Sequence, residues 1–97
     1  MENDELKNLR EKINILDDKI LELLKDRADI VSEIGKHKNS FEKIVDLSRE
    51  QKILNRLITN AKTKYSKDTI VRIWRELFKA SCNFSLLMMS IFKLKDR

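Results

Sequence analysis

Arg27 stands in "DRADIVSEIGKHK", at a place where a regular apolar pattern asks for leucine or isoleucine. Leu6, Ile13, Ile20 and Ile34 mark one seven-residue register, and Leu9, Leu16, Leu23 and Ile30 mark another; Arg27 fills the remaining place in the first. Lys38 follows eleven residues later, which on a helix returns it to within about 20° of Arg27, some 16 Å further along. Glu50 takes the stripe position between Leu47 and Leu54, with Asp46 and Arg49 a turn or less away. Further on, Ser81 and Ser85 interrupt the line from Trp74 through Phe78 to Met88. Two cations and one carboxylate on core-facing stripes leave an excess of positive charge, and an uncompensated buried charge is strongly destabilising. A small anion removes that cost, and the planar fork of arginine suits carboxylates.

Each of these residues also has a purely structural use. Arg27 and Glu50 could form an ion pair that sets helix register. Lys38 suits a helix C-terminus, and Asp46 suits an N-cap. Ser81 and Ser85 could bond back to the preceding turn. Their coincidence on three separate stripes favours a ligand site. Arg10 lies seventeen residues before Arg27, about 25 Å along one helix, too far for both to hold one small ligand within a chain. If two such helices run antiparallel, Arg10 of one chain approaches Arg27 and Lys38 of the other, and the site is shared.

The elements that must position these groups read as three helices, an all-α class. The first runs from about 5 to 38, capped by Asn3 or Asp4. The second covers about 46 to 62, with Ser48 and Gln51 as a capping box and Leu47, Leu54, Leu57, Ile58 and Ala61 as its stripe. The third covers about 67 to 94, capped by Ser66, with Ile70, Ile73, Trp74, Leu77, Phe78, Phe84, Met88 and Ile91 as its stripe. Thirty-four helical residues span roughly 50 Å, whereas a compact domain of 97 residues is only about 32 Å across. The two later helices are too short to cover the whole first seam, so an intertwined homodimeric helical bundle is expected.

Composition narrows the class further. With no proline, one glycine and 38% charged residues, the chain suits long amphipathic helices better than sheets. One domain, residues 1–97, is expected. The longest apolar run, Leu86 to Met89, is far too short to span a membrane. The acidic opening "MENDELKN" is unlike a leader, and the single cysteine, Cys82, permits no internal disulfide; a cytoplasmic location is expected. His37 is the only histidine, so a histidine-based metal cluster is excluded. The net charge of +5 raises nucleic acid as a partner, but the basic residues are interleaved with acids and no nucleic-acid motif accompanies them.

"LREKINILDDKILELLKDR", then "IGKHK", "DLSRE" and "IWRELFKAS", together resemble the all-helical class of chorismate mutases, from about Leu6 to Ser85. The resemblance implies an intertwined dimer of three-helix chains with two shared sites, converting chorismate to prephenate on the route to phenylalanine and tyrosine. That reaction is a one-substrate pericyclic rearrangement, for which no metal or cofactor is expected. By the same resemblance Arg27 and the partner subunit's Arg10 hold the two carboxylates, and Lys38 donates to the ether oxygen and a carboxylate. Glu50 accepts from the ring hydroxyl, Asp46 and Arg49 position substrate and neighbours, and Ser81 contacts the ring-side carboxylate or its waters. One position departs from the pattern. The family usually has Gln or Glu where this chain has Ser85, whose hydroxyl reaches the ether oxygen only through a water. Two other readings stand beside this one. Isochorismate-pyruvate lyases share the fold and also hold a dicarboxylate with arginines, although "DLSRE" follows the mutase pattern. The other is a non-enzymatic basic helical dimer that binds nucleic acid or protein.

Overall fold

The computed structural model describes residues 3–37 and 46–95. They form three helices: α1, Asp4–His37; α2, Leu47–Asn60; and α3, Lys67–Lys95. Among the described residues there is no strand, so the all-α expectation and the very long first helix both hold. Lys38, expected at the end of α1, lies outside the described residues. The chain divides into two compact units, Met1–Ile30 and Val31–Arg97. Among the described residues, no helix is long and apolar enough to cross a membrane.

The helix starts follow from local hydrogen bonding. The Leu6 amide donates to Asn3 Oδ1 at 2.7 Å and the Lys7 amide to the Asn3 carbonyl at 3.1 Å, which makes Asn3 the cap of α1. Asp4 and Glu5 then sit at the positive end of the helix dipole, with Lys36 and His37 at the negative end. Ser66 caps α3 as expected, its Oγ accepting from the Thr69 amide at 3.2 Å. At the start of α2 the structure chooses between the two caps that the sequence offered. Asp46 is the cap, its Oδ1 accepting from the Arg49 amide at 2.9 Å. Gln51 spends its side-chain amide on Asn55 Oδ1 at 2.9 Å, not on a capping box with Ser48. A carboxylate one residue before the helix is already within reach of the third helical amide, and that leaves Ser48 inside the first turn.

In the unit Met1–Ile30, the apolar seam of α1 faces water. Leu9, Ile13, Leu16 and Ile20 are each more than half exposed, and Leu23 is 66% exposed. Burying such side chains fully contributes about 1.5–3 kcal/mol each, so much of that stabilisation is unrealised in a single chain. Arg27 is the one residue of 3–30 that is half-buried.

The unit Val31–Arg97 holds the core. Helices α2 and α3 pack against each other as an antiparallel hairpin, with Leu57 near Ile70 and Trp74 at one end and Glu50 near Phe78 and Cys82 at the other. Leu54 is buried at its centre, flanked by half-buried Ile53, Leu57 and Ile58. Leu47, expected on the buried stripe, is instead 73% exposed; it is the first residue of α2, at the open edge of that helix. The end of α1 meets α3 where Gly35 lies against Ser85, both of them buried.

Removing the Ser66 hydroxyl leaves the Thr69 amide without its cap. Ser66→Ala should therefore cost about 1 kcal/mol and lower the melting temperature by about 4–8 °C. Ser66→Asn should restore most of the loss in a circular-dichroism melt.

Candidate functional site

Three of the expected site residues lie together at the start of α2, and the cap explains their arrangement. Asp46 bonds through its side chain to the Arg49 amide and through its carbonyl to the Glu50 amide, the latter at 3.0 Å. One residue thus fixes the backbone under both of its neighbours. Glu50, half-buried, turns toward α3, whereas Arg49 and Asp46 are exposed.

Glu50 opens into a cleft of about 260 Å³ between the first turn of α2 and the middle of α3. Leu47, Phe78 and Cys82 give this cleft an apolar wall, and Arg75, Lys79 and Asn83 give it a polar rim. One carboxylate faces two cations there, and the balance suits an anionic molecule that also carries a hydroxyl for Glu50 to accept from. The sequence reading did not single out Arg75 or Lys79, and it took Phe78 as an apolar stripe residue and Cys82 only as the lone cysteine. Their spacing was visible, since 75, 78, 79 and 82 share one face of a helix, but only the packing of α2 against α3 shows that this face meets Glu50. A second opening of about 270 Å³ lies at the other end of the hairpin. Leu57, Ile70 and Trp74 make it chiefly apolar, and none of the expected site residues lines it.

Ser81 is half-buried on α3 and has an interaction partner. Ser85, one turn further on, is buried at 6% exposure, and its hydroxyl lies 3.5 Å from where a β-carbon on Gly35 would be. Its surroundings are therefore helix packing. Arg10 and Arg27 belong to the unit Met1–Ile30, where Arg10 is exposed and Arg27 half-buried, and both have interaction partners. Glu50, Asp46, Arg49, Ser81 and Ser85 are thus grouped on the α2–α3 hairpin, while the two arginines lie on the long helix.

Comparison with known proteins adds independent information. A family model described as chorismate mutase type II matches residues 9–85. The bifunctional chorismate mutase/prephenate dehydratase of Escherichia coli strain K12 is 45% identical over 58 residues, which is 59% of this chain and 15% of that protein. The protein of the same description from Shigella flexneri matches to the same extent. The chain therefore aligns with only a small part of the length of these relatives.

The two possible uses of Asp46 separate by substitution. Asn caps as well as Asp does, so Asp46→Asn should melt within a few tenths of a kcal/mol of the parent, whereas Asp46→Ala should lose about 1 kcal/mol. Any loss of ligand affinity or turnover in Asp46→Asn at unchanged melting temperature then belongs to the carboxylate's charge and not to the cap.

Proposed function

The chain belongs to the type II chorismate mutase family, and from that premise we propose that it catalyses the rearrangement of chorismate to prephenate. The observation that carries this reading is the family match over residues 9–85, a span that contains every residue expected at the site. The cleft beside Glu50, with cations on its rim, is the kind of place such a substrate needs.

In this mechanism the protein forms no covalent bond to the substrate. The reaction breaks an ether bond and forms a carbon–carbon bond within one molecule, so the protein's work is to select the compact conformer and stabilise the charge that develops. Arg27 and Arg10 of the partner subunit grip the two carboxylates, the bidentate fork of each fixing direction as well as position. Lys38 donates to the ether oxygen as it gains negative charge, an interaction of the kind worth about 3 kcal/mol in the transition state. Glu50 accepts from the ring hydroxyl, while Asp46, Arg49, Ser81 and Ser85 orient the substrate and its neighbours.

The proposed assembly is a homodimer. Its support is the apolar seam of α1, exposed along its length in the single chain, together with the placement of Arg10 and Arg27 too far apart on one helix to serve one ligand. A second copy of α1 running antiparallel covers the seam and brings the two arginines together. A place in aromatic amino acid biosynthesis and a cytoplasmic location complete the proposal.

The direct test is consumption of chorismate by the purified chain, followed by absorbance, with prephenate as the expected product. Release of pyruvate instead would assign the chain to the lyase chemistry. The shared site has its own test. Co-expressed Arg10→Ala and Arg27→Ala chains, each inactive alone, should regain activity as heterodimers, because one of the two sites then has both arginines. Purified heterodimers that stay inactive would contradict sharing.

The seam has a separate consequence. Leu16→Glu places a carboxylate in it and should abolish folding, not merely release monomers, with loss of the helical circular-dichroism signal at all concentrations. A well-folded helical monomer from that variant would exclude the intertwined arrangement.

A further inference from the structure

The charges of α3 are unevenly placed around the hairpin. From Lys67 to Lys79 the helix carries Lys67, Asp68, Arg72, Arg75, Glu76 and Lys79. Of these, only Arg75 and Lys79 line the cleft that Glu50 opens into. They stand four residues apart, so one lies a turn above the other on a single helix face. Both are exposed, and half-buried Phe78 stands on the same face as part of the apolar wall. Among the described residues, no hydrogen bond or ion pair engages the side chain of Arg75 or Lys79. The lining therefore holds two cations against one carboxylate and keeps a positive excess.

Exposed cations on an ordinary convex helix are screened and do little. These two stand at the rim of a concavity with an apolar wall, and such a shape focuses a field and raises the local concentration of counter-ions. We infer that Arg75 and Lys79 are a capture pair, which draws the dianionic substrate into the Glu50 cleft and retains it there by charge. The assignment rests on the proposed reaction and adds to it two binding residues on α3 beyond those expected from the sequence. Their role differs in kind from a group aimed at the ether oxygen. Both carboxylates of the substrate keep their charge throughout the rearrangement, so the pull on them is the same before and during bond breaking. An attraction that is uniform in this way lowers KM and leaves kcat alone.

The experiment uses the full chain, with melting curves to show that each variant is folded at the assay temperature. At low salt, Arg75→Gln/Lys79→Gln should raise KM for chorismate about tenfold with kcat within about twofold of the parent. At about 1 M salt, where the screening length is only about 3 Å, the difference in KM should shrink to twofold or less. Arg75→Lys should restore nearly all of the Arg75→Gln loss, because the pair acts through charge and not through the planar fork. Lys64→Gln/Lys67→Gln removes the same charge at the other end of the hairpin, on exposed residues that do not line the cleft, and should leave KM unchanged. A kcat loss that matches the KM change, a salt-independent loss, or an equal effect of the control pair overturns the inference and leaves the proposed reaction standing. Cys82, the only cysteine and a lining residue of the same cleft, gives a readout without turnover. Its rate with anionic dithiobis-nitrobenzoate, divided by its rate with neutral dithiodipyridine, cancels any change in thiol reactivity and reports the field at the cleft. That ratio should fall about fivefold or more in Arg75→Gln/Lys79→Gln at low salt. An unchanged ratio, or a thiol that reacts with neither reagent, overturns the capture pair. A parent chain that does not turn over chorismate but shows the expected fall removes the reaction and keeps the pair as a binder of other anions.

Discussion

Apolar side chains repeated along a helix of 34 residues must be covered by something, and most of the architecture answers that demand. Short helices satisfy themselves by folding back on one another, as α2 and α3 do around Leu54. A helix as long as α1 outruns its own chain. The hydrophobic term that would stabilise it lies in the exposed flanks of Leu9, Ile13, Leu16, Ile20 and Leu23, and an isolated helix gains little from propensity alone. The proposed second copy satisfies this demand and also explains why cations are distributed along a seam that would otherwise be uniformly apolar. In that proposal Arg10 and Arg27 serve sites at different places along the helix, and a helix that spans two sites has to be long.

Charge selects the chemistry once the frame exists. The rim of the Glu50 cleft carries Arg75 and Lys79, and the proposed site adds Arg10, Arg27 and Lys38. Fixed positive charge around an apolar wall is suited to holding a dianion in one shape and easing the movement of charge within it. That is enough for a pericyclic rearrangement, in which the substrate supplies every bonding electron.

Much of this was legible in the residues themselves. Heptad spacing gave α1, and Asn3 and Ser66 announced their caps because each is a small polar residue standing directly before an apolar period. The start of α2 was left open between two polar candidates that both precede the same stripe. Asp46 and the Ser48–Gln51 pair satisfy the same rule, and only the hydrogen bond to the Arg49 amide distinguishes them. Glu50 was identified from its place on a stripe, yet the cleft it opens into was not. Phe78 and Cys82 look like ordinary core residues until α2 is packed against α3. Ser85 shows the limit of pattern most clearly. Against the family pattern it reads as a missing donor, whereas its surroundings at 6% exposure are those of a packing residue. A sequence shows what a residue is able to donate, but not how much room its neighbour leaves it.

The cap at the start of α2 also bears on how the protein responds to heat. The Asp46 side chain holds the Arg49 amide and its carbonyl holds the Glu50 amide, so the first turn closes through a single residue at the helix end. Helix ends open at far lower free energy than helix centres. When this end frays, Glu50 loses the anchor beneath it in the same event, although Leu54 and the hairpin core remain packed. The proposed site is therefore expected to lose this support on warming before the helical signal of the chain falls.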